Sequence, residues 1–184
     1  MSEPPVPRRS LRDAVVGWTI YPLGDLVAQL ISGHVQWQRL VVMAIAGGLV
    51  YRYEVPAWFR NLDRFEFSPL TLDRSRLARA TASPDGHLNW LGRTLGAILY
   101  FNPLRVARHL LFIRLGSDPA SLLHASSYLA AVTIGIKSFL VNLPISFAGN
   151  YVIQMCLPLR WRFLGSSIFS AILATAYALA YRFF

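Results

Sequence analysis

The chain has 184 residues, of which 54% are hydrophobic and 15% are charged, and its mean hydropathy is +0.41. Soluble domains carry about a quarter charged residues, so this composition argues against a water-soluble domain and favours a single domain embedded in a membrane. The net charge is +9, and every basic residue except Lys137 is an arginine. The arginines flank apolar stretches, which suits lipid headgroups, and no basic helix with interleaved aromatic residues suggests a nucleic-acid partner.

The chain begins with a polar, proline-rich arm over residues 1–12, and residues 13–184 are predicted to form one membrane domain. The first apolar segment of this domain covers residues 14–31. The second covers residues 40–50 and continues, less purely, to residue 59. Both approach the roughly 20 residues that a helix needs to cross a bilayer, so each is predicted to span.

The middle of the chain is the least hydrophobic part. Residues 60–89 contain five arginines and are predicted to form a basic loop outside the membrane. The next apolar segment, residues 90–113, is interrupted by Arg93, Arg105 and Arg108. An arginine at the centre of a bilayer costs about 2.5–3.5 kcal/mol on insertion scales, so this segment is predicted to be a short or tilted span whose arginines reach the interfaces.

The last third of the chain contains two long apolar runs. Asp118 and Pro119 are typical of an N-cap and the first position of a helix. The run over residues 122–157 contains Pro144, which should kink or break a helix, and residues 163–181 form a final apolar helix. Strand-like alternation is missing, so the sequence predicts an all-α, multi-pass transmembrane helical bundle of four to five spans.

Two polar residues in the first apolar segment need ion-pair or hydrogen-bond partners. Asp25 and Gln29 are four residues apart and share one helix face. A buried carboxylate must be paired, neutralised or hydrated, so Asp25 is predicted either to clamp another helix through Arg93 or Lys137, or to line a pore. Lys137 itself could line a water path, or pair with Asp25 or Glu54.

Other polar groups lie near the prolines of the last third. Asn142 and Asn150 flank Pro144, and their amides are predicted to satisfy backbone groups at the kink rather than to bind a ligand. Arg160, Trp161 and Arg162 precede the last helix. They are predicted either to bind an anionic lipid headgroup, such as cardiolipin, or to anchor the chain at the interface.

No pattern in the sequence suggests catalysis. The four histidines are scattered without the spacing of metal ligands, and no serine–histidine–aspartate order or phosphate loop is present. The only cysteine, Cys156, can form no intramolecular disulfide. We therefore expect no catalytic residue, no metal and no cofactor.

Several short motifs follow one another along the chain. They are, in chain order, Gly24-Asp25 with Gln29, Trp37 with Arg39, Trp58-Phe59 with Leu62-Asp63, Pro103, Leu143-Pro144, Asn150-Tyr151 and Pro158-Leu159-Arg160-Trp161-Arg162. Together they resemble the motifs of a known family of organellar membrane proteins, which includes the twenty-two-kilodalton peroxisomal membrane protein and the mitochondrial inner-membrane protein Mpv-seventeen. On the third span the chain departs from the pattern, because Arg93 occupies the family's lysine position, and Ala97 and Ile98 stand where the family has an aspartate and a glutamine.

The resemblance implies a non-enzymatic membrane protein. It places the chain in the mitochondrial inner membrane, with a peroxisomal or other organellar membrane as the alternative. Because the polar pair of the third span is missing, the first expectation is an accessory subunit of a larger inner-membrane complex, with lipids and other protein subunits as partners. The second is a channel for ions or small solutes, lined by Asp25, Gln29, Arg93 and Lys137.

Overall fold

The computed structural model describes residues 11–100 and 102–183, with side chains described up to residue 175. Almost all of the predicted polar arm, residues 1–12, lies outside the described residues. Within them the chain is all-α, and no strand longer than an isolated bridge occurs. The helices are α1 (Leu11–Ser32), α2 (Trp37–Arg64), α3 (Pro69–Arg74), α4 (Arg76–Thr81), α5 (Trp90–Tyr100), α6 (Pro103–Ser117), α7 (Ala125–Cys156) and α8 (Leu159–Phe183).

Three of the described helices are long and apolar enough to cross a membrane. They are α1, α2 and α7, with 22, 28 and 32 residues. The chain is therefore a membrane protein built as a helical bundle, as predicted, whereas the expected four to five spans are not confirmed. The predicted third span is divided into α5 and α6, of 11 and 15 residues, and each is shorter than the roughly 20 residues of a span.

The break between α5 and α6 is stabilised by one side chain. Asn102 caps α6, since its Oδ1 accepts from the backbone N–H groups of Leu104 and Arg105 at 3.0 and 3.1 Å. Its Nδ2 donates to the carbonyl of Leu99, in the last turn of α5, at 3.1 Å. Pro103 occupies the first position of α6, where no backbone donor is needed. The amide of Asn102 thus replaces backbone hydrogen bonds that an unbroken helix would make.

Helices α1 and α2 approach each other through glycines. A Cβ on Gly17 would lie only 2.4 Å from the carbonyl oxygen of Gly47, so a side chain at either position would force the helices apart. At this contact α2 has a π-helical stretch, Ala46–Tyr51. Gly33, with φ +85°, ends α1 in the left-handed region that favours glycine.

Helix α7 continues through Pro144, so the predicted break at this proline does not occur, and the predicted alternative, a kink within one helix, stays a prediction. Neighbouring helices can satisfy the backbone groups that a proline frees in a membrane helix. Only 11% of the apolar window of α7 is buried within the bundle, against 39% for α1 and for α2. Most of the surface of α7 therefore faces outward.

The predicted extramembrane loop, residues 60–89, begins inside α2, which extends to Arg64. The rest forms the two short helices α3 and α4 and a tight turn. In that turn Ser83 donates to Asp85, and this hydrogen bond, followed by one from the backbone of His87, lowers the pKa of the exposed Asp85 carboxyl. The predicted N-cap at Asp118 is present, but it caps a short 3₁₀ helix, Pro119–Leu123.

Candidate functional site: a central cavity and its ion pairs

The bundle contains a central cavity of about 820 Å³ that is partly open to the outside. Among the described residues its walls come from α1, α2, α6, α7 and α8, with Tyr100 from the end of α5. Much of the wall is apolar, for example Ile113, Phe139 and Phe169. The polar and ionisable side chains in the wall are Tyr21, Asp25, Ser32, Arg39, Tyr51, Tyr100, Arg105, His109, Ser138, Asn142, Ser146, Asn150 and Ser170.

An ion pair between the first two helices is part of the cavity wall. Asp25 is buried, with 5% of its surface exposed, and its Oδ1 accepts from Nε of Arg39 at 2.9 Å and from a terminal nitrogen of the same guanidinium. Gln29 donates to the other carboxylate oxygen at 2.7 Å and accepts from the backbone N–H of Gln36 at 2.6 Å. The aspartate and the glutamine thus tie α1 to the start of α2.

The partner of Asp25 is Arg39, and neither of the two predicted partners contacts it. Arg93 pairs with Asp63 at 3.2 Å and donates through Nε to the carbonyl of Leu88 at 3.1 Å. Lys137 is exposed on α7 and forms no ion pair within the described part of the chain. The sequence showed that Asp25 needs a cation, but not that the turn after α1 returns Arg39 to it.

Asp63, at the end of α2, holds two arginines from distant parts of the chain. Arg162 Nη1 lies 2.8 Å from both carboxylate oxygens, and Arg93 approaches one of them at 3.2 Å. Arg162 also donates through Nε to the carbonyl of Leu157 at 3.2 Å. This cluster joins α2, α5 and α8 at the end of the bundle opposite Arg39.

The three residues of the predicted headgroup site do not share one surface, because one is buried in this cluster and two are exposed. Arg162 is only 6% exposed and is engaged by Asp63, so it is not available to a headgroup. Arg160 and Trp161 are exposed. Arg12 lies over the Trp161 ring at 4.3 Å from its centroid and donates to the carbonyl of Arg160. The cation next to the tryptophan at this surface is therefore Arg12.

A row of polar side chains on α7 lines the cavity: Ser138, Asn142, Ser146 and Asn150, four residues apart. Asn142 donates to the carbonyl of Ser138 at 2.6 Å, and Asn150 to that of Ser146 at 2.8 Å. Neither amide reaches Leu140, whose carbonyl loses its helical donor at Pro144, so the predicted repair of a proline kink is not what they do. Asn150 is completely buried, and its Oδ1 has no partner in the described residues.

Glu54, midway along α2, pairs with two arginines of α6. It contacts Arg105, and Arg108 donates to its two oxygens at 3.2 and 2.7 Å. A second, open cavity of about 300 Å³ lies beside this cluster and is lined by Glu54, Asn61, Trp58, Asn102 and their neighbours. Glu54 was one of two alternative partners predicted for Lys137, but the residues that pair with it are arginines of α6.

Aromatic groups complete the wall next to this cluster. Tyr51 shares a hydrogen bond of 3.0 Å with Nδ1 of His109, and its ring lies 4.8 Å from that of Tyr21. These side chains hold α1, α2 and α6 together around the cavity. No group of three or more histidine, cysteine or carboxylate side chains that could hold a metal occurs in the described residues.

The residues that sequence reasoning missed are Arg39 and Asp63, as charged partners, and the pair Tyr51 and His109. The first two were noticed only as parts of family motifs. The sequence offered one signal for them: Arg39 and Asp63 are charged residues at the two ends of the predicted second span, where a partner of opposite charge is needed. Tyr51 and His109 are 58 residues apart, and no pattern in the sequence links them.

Comparison with known protein families, with curated proteins and with solved structures finds no match for this chain. The fold and the site therefore define the class on their own: a membrane protein with a bundle of helices around a partly polar cavity. The resemblance to the Mpv-seventeen family stays a prediction from the sequence.

Proposed function

We propose that the protein is a non-enzymatic membrane protein that admits small solutes to a cavity inside the bilayer, as a channel does. The central cavity carries this proposal. Protein interiors are close-packed, so a partly open cavity of about 820 Å³ between six helices is more space than packing defects between side chains leave. Its volume equals that of roughly two dozen water molecules in the liquid.

The lining supports a hydrated cavity over an empty one. Empty cavities in proteins are apolar, whereas polar cavities hold water. Here Asp25 and Asn142 are in the wall, together with serines such as Ser146 and Ser170.

The proposed path differs from the pore predicted from the sequence. Of the four residues expected to line it, only Asp25 borders the cavity. Gln29 is bonded to Asp25, Arg93 is bonded to Asp63, and Lys137 lies on the outer surface. The polar row on α7, from Ser138 to Asn150, takes their place.

We also propose in which membrane the protein lies and which lipid it binds. Placement in the mitochondrial inner membrane, with a peroxisomal or other organellar membrane as the alternative, is supported only by the family resemblance. Arg12, Arg160 and Trp161 form an exposed basic and aromatic surface at one end of the bundle. Such a surface favours an anionic headgroup, and cardiolipin is the natural lipid to test.

A matched pair of substitutions on α8 tests the solute path. Ser170 lines the cavity, whereas Ile172, two residues away, is 58% exposed on the outer surface. We expect Ser170→Phe to fill part of the cavity and to reduce ion or solute flux into vesicles that contain the purified protein. Ile172→Phe adds the same ring to the outside and should leave the flux unchanged.

Whether water reaches the cavity can be measured separately. In a Cys156→Ser background, a cysteine replacing Ser146 should react with a small water-soluble thiol reagent, and one replacing Ile172 should not. If vesicles with the wild-type protein show no flux above empty vesicles, and the cysteine at position 146 is inert, the proposal is wrong.

A second candidate function, an accessory subunit of a larger membrane complex, is favoured by the outer face of α7. Large apolar side chains on it, such as Leu129, Leu140 and Val141, are 61–75% exposed. This face would be covered by lipid or by another subunit. Purification from native membranes in mild detergent distinguishes the two, because an accessory subunit should co-migrate with stoichiometric partners and a channel should migrate alone.

A further inference from the structure

Two side chains separate the central cavity from the second cavity beside Glu54. Tyr100 and Arg105 line both cavities. The Arg105 guanidinium lies 3.8 Å from the centroid of the Tyr100 ring and contacts the Glu54 carboxylate on the side of the second cavity. A stacked cation and ring therefore form the wall between the two spaces.

The charge at this wall is positive. One carboxylate, Glu54, faces two guanidinium groups, those of Arg105 and Arg108. In the central cavity, the charges of Asp25 and Arg39 offset each other. Arg105 is therefore the charge in the cavity lining that is not balanced within the cavity itself, and its Nη2 has no hydrogen-bond partner in the described part of the chain.

We propose that Arg105 is an anion-binding gate, and that the solute of this protein is a small anion with carboxylate or phosphate oxygens. The proposal rests on the function proposed above, since it names the solute class and the barrier of the same path. A planar guanidinium binds such oxygens through two parallel N–H donors. Rings of basic side chains select anions in other pores for the same electrostatic reason.

The helix break gives this wall a way to open. Tyr100 is the last residue of α5, and Arg105 lies in the first turn of α6, so one helical ladder does not fix their relative position. An anion that reached Arg105 would replace Glu54 as its partner. The Glu54 carboxylate would keep its bonds to Arg108, so no buried acid would be left unpaired.

Arg108 provides a matched control for Arg105. It pairs with the same carboxylate but is not part of the lining of either cavity. The measurement is the reversal potential of the purified protein in a planar bilayer under a potassium acetate gradient, repeated with potassium phosphate. The wild-type protein should be selective for the anion in both salts.

We expect Arg105→Gln to lower the permeability ratio of anion to potassium by about tenfold, because a unit charge a few ångströms from the path is worth several RT even when partly screened. Arg105→Lys should keep most of the selectivity, and Arg108→Gln should keep all of it. In Arg105→Gln the Glu54 carboxylate keeps both of its bonds to Arg108, so no acid is left unpaired and a loss of selectivity would not reflect misfolding.

Selectivity for potassium in the wild-type protein, or the same anion selectivity in Arg105→Gln, would overturn the proposal while leaving the solute path intact. An equal loss in Arg108→Gln would overturn the role of Arg105 as the gate. A wild-type protein that carries no current would overturn the proposed function, and this inference with it.

Discussion

The Asp63 cluster gives the sharpest test of how this bundle is held together. The substitution Asp63→Asn keeps the size and the polarity of the side chain but removes the charge that two arginines share. Arg162 is 7% exposed in its side chain and Arg93 is 29% exposed, so both would keep a positive charge that is mostly buried and unpaired.

The magnitude follows from this burial. Removing one partner of a fully buried ion pair costs about 3–5 kcal/mol, and most of this is the penalty for the charge left behind. Asp63 is 22% exposed, which brings water to the pair, so we expect the low end of the range, about 3 kcal/mol. Arg162→Gln should cost about 2 kcal/mol and Arg93→Gln about 1 kcal/mol, because each leaves Asp63 with the other arginine.

The assay is reversible unfolding of the purified protein in mixed detergent micelles, followed by circular dichroism. Asp73→Asn is the control, since Asp73 is an exposed aspartate of α3 whose side chain forms no ion pair in the described residues, and it should change stability by less than about 0.5 kcal/mol. If Asp63→Asn behaved like this control, the cluster would be a surface contact, and the reasoning from buried charge would be refuted.

Two further predictions concern packing and the loop. Gly24→Ala should destabilise the same micellar protein by about 1–3 kcal/mol, because a Cβ there would meet the Cβ of Ala171 at 2.6 Å, whereas Leu23→Ala, at an outward position on the same helix, should cost less. Ser83→Ala should raise the pKa of Asp85 towards its ordinary value, measured by carbon-13 titration of the carboxyl. In the wild type, the stabilisation of the turn by this carboxylate is complete above the ordinary pKa and is lost as the pH falls through the lowered value. An unchanged titration curve in Ser83→Ala would show that the serine hydroxyl is not its cause.

The sequence predicted the fold best for the long helices, whose position depends only on the hydropathy of a single continuous segment. Hydropathy located α1, α2 and α7 to within about five residues at each end, because a long apolar run has few alternatives in a membrane, whereas the predicted N-cap at Asp118 belongs to a separate short helix. The division of the third span was not predicted. Arg93 and Arg105 were interpreted as interfacial anchors of one helix, whereas the chain breaks between them and each arginine finds a carboxylate on α2.

The candidate site was less predictable, because it depends on contacts between segments far apart in the chain. The need of Asp25 for a cation could be deduced, but the choice of Arg39 over Arg93 depends on how the turn after α1 directs α2. The interpretation of Asn142 and Asn150 as groups that repair a proline kink was wrong, since local reasoning could not show that their face of α7 borders a cavity.

The sequence distances within the ion pairs have a consequence for the assembly of this protein in the membrane. Arg39 follows Asp25 by only 14 residues, so that pair can close as soon as the first two helices have been inserted. Arg162 follows Asp63 by 99 residues and is therefore synthesised much later. Until Arg162 has been made, Arg93, only 30 residues from Asp63, is the cation of this cluster that can pair with it. The weaker ion pair, Asp63 with Arg93, therefore neutralises the carboxylate while the later helices are being synthesised.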